Sequence, residues 1–151
     1  MIKANSQQII HANLMSSALP AESDFAYMSE LGYEVVVSLA QSVDSITLDN
    51  EDRLVSSVGM KYIHIPVDYY KPTLNDYEML RDLLRALSQR KVWLHCTKNY
   101  RVSAFAYIYR VIDMSVSSKE AESMLHAIWK PNEVWQKLID EAIEKYAYQY
   151  I

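Results

Sequence analysis

Three short apolar runs, each set between helical patterns, constrain this chain most. They read EVVVSL at 34–39, KYIHIPV at 61–67 and KVWLH at 91–95. The first is β-branched and continuous, as a strand buried on both faces should be, and the other two share its continuous apolar character. Pro20 opens a helix predicted over Ala21–Leu31, with Glu22 and Asp24 in its first turn and Gly32 as its stop. Asp49 or Asn50 caps a short helix running to Val58, and Gly59 ends it. Thr73 opens a T-L-N-D helix start, and Leu80, Leu83, Leu84 and Leu87 then fall at i, i+3, i+4 and i+7. Later helical patterns cover Val102–Met114, Ser118–Trp129 and Pro131–Tyr148, with Ser117 or Ser118 as a cap and Pro131 in a first turn. Residues 7–16 alternate loosely and suit an edge strand or two. This order predicts a three-layer α/β fold: a central, mainly parallel sheet of four to five strands, with helices on both sides. Val35–Leu39, Ile63–Ile65 and Val92–Leu94 are its expected neighbouring, buried strands.

The length of 151 residues suits a single domain, 1–151, around one core. Two glycines and four prolines leave no room for a long flexible linker. A net charge of −4 argues against a nucleic-acid partner, which calls for a basic surface. No apolar run approaches the length of a membrane span. The opening MIKANSQQII lacks the apolar core of a secretion signal, so a cytoplasmic location is expected. The lone cysteine excludes an internal disulfide and a multi-thiolate zinc site. His11, His64 and His126 are scattered, so neither a metal nor a cofactor is expected.

The chemistry falls on the loop after KVWLH. Open sheets of this kind hold ligands beyond the carboxyl ends of their strands. The loop reads His95-Cys96-Thr97-Lys98-Asn99-Tyr100-Arg101-Val102-Ser103 and runs into an apolar helix. A helix N-terminus presents free N–H groups and a positive dipole end, which suits an anion. The same environment favours a thiolate at Cys96, and the thiolate is the nucleophile. Arg101 offers a planar two-pronged donor to a tetrahedral oxyanion. Thr97, Lys98, Asn99 and Tyr100 can turn backbone N–H groups inward as a nest. Spacing alone also allows a plainer account, with Cys96 a small buried residue and Arg101 a surface one.

The pattern resembles the protein tyrosine and dual-specificity phosphatase superfamily. The resemblance rests on LMSSALPAESDFAYMSELGYEVVVSL, on YIHIPVDYYKPT and on VWLHCTKNYRVSAFAYIYRV, and so spans most of the chain. It implies Cys96 as nucleophile, Arg101 as phosphate binder and Asp68 as the acid that protonates the leaving group. One departure stands out. The superfamily has five residues between Cys and Arg; this chain has four. Either the loop is one residue shorter, or Val102 stands in the arginine's usual slot. Asn99 replaces a mid-loop glycine and suits a left-handed turn. The HC-x-x-N-x-R-x-S-A-F pattern is similar to that of a small bacterial phosphatase-like branch.

The implied activity is hydrolysis of a phosphorylated small molecule or phosphoprotein through a phospho-cysteine. Two alternatives remain open on the residues. A four-residue spacing also resembles rhodanese-type sulfurtransferases, and a catalytically weak phosphatase relative would bind an anionic ligand without turning it over. Asp68 is otherwise a solvated loop carboxylate or a cap; Asp76 is its rival but suits the helix first turn better. Ser103 is either a hydrogen-bond partner of the Cys96 sulfur or an ordinary first-turn serine. His95 is expected to order the loop, Lys98 to steer anions, and Tyr69, Tyr70 and Tyr100 to wall the pocket. Trp129 and Trp135 suit packing roles.

Overall fold

The computed structural model describes residues 1–147. Its elements run β1 (Gln8–His11), β2 (Leu14–Ser17), α1 (Asp24–Glu30), β3 (Val35–Ser38), α2 (Glu51–Ser57), β4 (Lys61–His64), α3 (Leu74–Ala86), β5 (Val92–His95), α4 (Tyr100–Ile112), α5 (Ser118–His126) and α6 (Glu133–Ala147). The five strands form one sheet in the order β1-β2-β5-β3-β4. Only the β1–β2 pair is antiparallel. The expected mainly parallel α/β sheet is therefore the observed one.

The sheet is covered on both faces because successive side chains of a strand point to opposite sides. Val35, Val37, Val92 and Leu94 join the core formed with α3, α4 and α6, through Tyr77, Leu80, Phe105, Ile108, Trp135 and Ile139. Val36 and Trp93 face the other way, against Phe25 and Met28 of α1 and Val55 of α2. Trp93 is fully buried, and its indole N–H is satisfied by Ser17 Oγ at 2.8 Å. Leu80 and Leu84 are buried on α3, while Leu83 and Leu87 pack at its border.

Several expectations need correction. The run 61–67 is not a strand buried on both faces. β4 lies at the sheet edge, it stops at His64, and its residues are exposed or half-buried. Pro66 lacks an N–H, so the regular ladder cannot run through it. Conversely, β2 is no edge strand; it lies between β1 and β5. Pro131 precedes α6 rather than opening it, since the helix begins at Glu133 and Asn132 Oδ1 accepts the Trp135 N–H. The expected end of that helix at Tyr148 lies outside the described residues. Two caps fare better, since Thr73 and Asp76 form a reciprocal capping box and Ser117 accepts the Glu120 N–H, whereas Asn50 stands at the α2 N-cap without a side-chain capping bond. Gly32 and Gly59 follow α1 and α2 at φ +91° and +85°, the left-handed conformation that suits glycine after a helix.

Candidate active site

Two parallel strands bring the site together. β3 and β5 pair in register, so Ser38 stands beside His95, and the Leu39 N–H donates to the His95 carbonyl. The chain then leaves both carboxyl ends on the same side. Cys96 directly follows β5, and α4 begins only four residues later, at Tyr100. Asn99 makes that tight entry at φ 67°, the left-handed conformation expected of it. Its side chain faces away from the loop mouth, with Nδ2 donating to the Ser6 carbonyl at 2.8 Å and to Ser16 Oγ at 3.3 Å. The loop is thus tied from behind to the N-terminal segment.

Above this loop lies a cavity of about 550 Å³. Cys96, Thr97, Lys98, Tyr100 and Arg101 line it from below, and Asp68, Tyr69 and Tyr70 from the segment after β4. Gln41, Val43, Asp44 and Ser45 close a third side. Cys96 itself is fully buried at the floor. Arg101 lines the cavity, whereas Val102 is fully buried in the core.

Arg101 is held on several sides. Nη1 donates to the Val67 carbonyl at 3.0 Å and, at 3.5 Å, to Asp44 Oδ1. Nη2 donates to Asp44 Oδ2 at 2.6 Å and to Thr97 Oγ1 at 3.1 Å. Thr97 in turn donates its hydroxyl to Asp44 Oδ2 at 2.6 Å. Burial works against a charge on Asp44, but the hydrogen bonds from Arg101, Thr97 and the Gln41 N–H, with the Arg101 charge, outweigh it. They hold the Asp44 carboxyl below the usual carboxylate range. Asp44 was missed in the sequence. It lies in the irregular segment 39–50, where no motif or period marks a functional carboxylate.

His95 orders the loop as expected, and the partner is Glu51. The ring is fully buried; Nδ1 faces the Cys96 carbonyl at 3.0 Å and Nε2 lies 2.5 Å from Glu51 Oε2. The Cys96 carbonyl and the Glu51 carboxylate thus meet the two ring nitrogens from opposite sides. The start of α2 is thereby fastened to the Cys96 peptide.

The remaining candidates divide. Asp68 lines the cavity, and its Oδ1 accepts the N–H groups of Tyr70 and Lys71 at 2.8 and 3.3 Å, which shapes the turn that carries it. Asp76 serves the α3 capping box. Lys98 is exposed, with Nζ 5.9 Å from the Tyr100 ring centre. Tyr69 and Tyr100 belong to an aromatic wall continued by Trp129 and Trp135: the Tyr100 and Trp129 rings stack at 4.4 Å, and the Trp135 indole donates to the Tyr69 carbonyl at 2.8 Å. One substrate-binding expectation needs correction. Ser103 is buried outside the cavity lining and donates its hydroxyl to the Tyr100 carbonyl, as a first-turn helix serine does. The Asn99 side chain is likewise absent from the lining and supports the loop from outside.

Comparisons with known proteins agree with this arrangement. The family model for a DSP-PTPase phosphatase fused to NAD+ kinase matches residues 3–141. A solved DUF442 protein from Shewanella putrefaciens CN-32, to which phosphatase activity is ascribed, is 30% identical. The match covers 95% of this chain and 94% of that one, with a TM-score of 0.85. PTPMT1 in complex with PI(5)P is 14% identical over 96% of this chain and 99% of its own, at TM-score 0.79. TpbA of P. aeruginosa, in complex with pTyr, is 17% identical over 97% and 95%, at TM-score 0.72. None of the curated proteins matches the chain in sequence. The matched span and the Shewanella likeness show that this chain belongs to the dual-specificity and protein tyrosine phosphatase family, in the branch described as fused to NAD+ kinase.

Proposed function

We propose that this protein is a cysteine-dependent phosphomonoester hydrolase with Cys96 as nucleophile, Arg101 as phosphate binder and Asp68 as general acid. One observation carries the assignment: the three residues line a single cavity at the carboxyl ends of β3 and β5. The Cys96 thiolate attacks phosphorus while the ester oxygen departs with its electron pair and takes a proton from Asp68. Water then attacks the phospho-cysteine, Asp68 takes up that water's proton, and phosphate leaves as the thiolate is restored. Arg101 and the loop N–H groups meet the charge on the equatorial oxygens.

The substrate is a phosphorylated small molecule or a phosphoprotein. Its support is the family, together with PI(5)P bound to PTPMT1 and pTyr bound to TpbA. The family favours phosphoryl over sulfur transfer, so the rhodanese alternative drops back. The reading treats 1–151 as one phosphatase-like domain. It takes nucleic acid and membrane to be no partners, on the acidic charge and the lack of long apolar runs. Among the described residues no helix is long and apolar enough to cross a membrane. A cytoplasmic location is part of the proposal as well.

A second reading, an anion-binding relative of weak activity, is favoured by one observation: most of the Arg101 donors are already engaged by protein groups. A panel of aryl phosphate, phosphotyrosine peptide, nucleotide and phosphoinositide substrates separates the two. We expect phosphate release by the wild type and none by Cys96→Ser. Phosphate binding without release on any substrate supports the binder. Sulfur transfer from thiosulfate without phosphatase activity overturns both.

A further inference from the structure

The Arg101 guanidinium has five N–H donors, and the four on Nη1 and Nη2 are matched by four acceptor contacts. Two are to Asp44, one to the Val67 carbonyl and one to Thr97 Oγ1. The Val67 and Thr97 contacts fix the arginine to the scaffold. The Asp44 contacts do something different, because a carboxylate presents to a guanidinium the same two-oxygen anionic edge as a phosphoryl group. A phosphate seated on the arginine's two-pronged edge needs donors that Asp44 now holds. We propose that Asp44 is a resident anion that occupies the phosphate site of the free enzyme and must be displaced by substrate. The proposal rests on the reading of Arg101 as the phosphate binder.

The segment carrying Asp44 is built for such an exchange. It is fastened at its two ends, where Ala40 O lies 2.6 Å from His64 Nε2 and where Glu51 meets the buried His95. Between those ends, the apolar side chains flanking Asp44 do not dock into the core: Val43 is 82% exposed and Ile46 is 59% exposed. Leu48, nearer the α2 end, packs against the α1–α2 core cluster. The middle of the segment is therefore anchored to the loop below by the Asp44 contacts with Arg101 and Thr97. Releasing that carboxylate exposes little new apolar surface.

Displacement also confers selectivity. A singly charged carboxylate or sulfate ester gains little by replacing an identical charge already in place. A phosphate dianion gains more, because its second charge and third oxygen can also engage the loop N–H groups. Asp44 thus sets a threshold of anion strength at the entrance and keeps Arg101 neutralised when no substrate is present.

The test is binding of inorganic phosphate, by calorimetry, to the full chain with Cys96→Ser. Asp44→Asn keeps the shape but removes the charge, and it is expected to tighten phosphate binding by about tenfold or more. Asp44→Ala serves as the second variant should the amide settle on Thr97 or disturb folding. In the protein without a substitution at 44, added phosphate should speed amide hydrogen exchange across residues 42–49, the reverse of ordinary ligand protection. Unchanged or weaker phosphate binding by both variants overturns the proposal, as does slower exchange across 42–49 on adding phosphate. Arg101→Ala keeps the two ideas apart. If it binds phosphate as well as the parent does, the site reading itself fails. If it weakens binding while the Asp44 variants do not tighten it, only the resident-anion proposal falls.

Discussion

Asp68 and Asn99 show how single side chains divide the work at this loop. Asp68 reaches the cavity from a turn that its own Oδ1 stabilises, so the carboxyl is positioned before substrate arrives. Asp68→Asn is expected to slow turnover by about 10²–10⁴-fold on alkyl phosphates, whose leaving oxygen needs a proton. It should slow an activated aryl phosphate much less, and equal losses on both, measured as kcat, would assign Asp68 a structural role. Asn99 never touches the cavity, but it sits at φ 67° and holds Ser6 and Ser16. Asn99→Ala should cost about 1–3 kcal/mol in urea unfolding, from the strained backbone and the lost hydrogen bonds. Asn99→Gly accepts the backbone angle and should cost less; the opposite order would show that the side-chain ties dominate.

At the scale of elements, the last helix of the described residues supports the turn that carries Asp68. Trp135 of α6 is fully buried and donates its indole N–H to the carbonyl of Tyr69, the residue after Asp68. Trp135→Phe keeps much of the packing and removes that bond, so it should cost about 0.5–1.5 kcal/mol of stability for the hydrogen bond. If α6 steadies the acid, the same variant should lose rate on poor leaving groups beyond its loss on activated ones; a uniform loss would show that it does not. This support was not legible in the sequence, where Trp135 read only as a packing residue. What was legible follows from local physics. Continuous apolar runs marked β3 and β5, the T-L-N-D start marked the α3 cap, and the HC-x4-R pattern marked the floor of the site. The edge position of β4 and the placement of Asp44 depend on which segments meet across the sheet. Asp44 and Arg101 are 57 residues apart, and nothing near Asp44 in the chain anticipates its partner. Glu51 is similarly hidden, because a first-turn glutamate looks like an ordinary helix-dipole residue until His95 is placed against it.

Over the whole molecule, the ion pair at the site also ties stability to acidity. The Asp44 carboxyl is depressed below its ordinary 3.8 by its hydrogen bonds with Arg101, Thr97 and Gln41, against the opposing effect of burial. Glu78 is held low by the Tyr146 hydroxyl and Lys145. Each contributes stability that is present above its unfolded value and lost as pH falls through its folded value. Urea unfolding should therefore show a stability plateau above about pH 5 and a decline below about pH 4, shallower in Asp44→Asn. A slope unchanged by that substitution would mean that the pair does not couple to folding. The strand order has a separate consequence for how the protein is made. β5 lies in the middle of the sheet, between β2 and β3, yet among the described residues it is the last strand to be synthesised. Until about residue 95 has left the ribosome, the β1–β2 hairpin and the β3–β4 pair have no ladder joining them, and each exposes an open edge. Nascent chains stopped at residue 90 should thus remain protease-sensitive, whereas chains that include α4 should gain resistance in one step. The strand that closes the sheet is the one that delivers Cys96, so no sheet-complete intermediate can precede the arrival of that thiol.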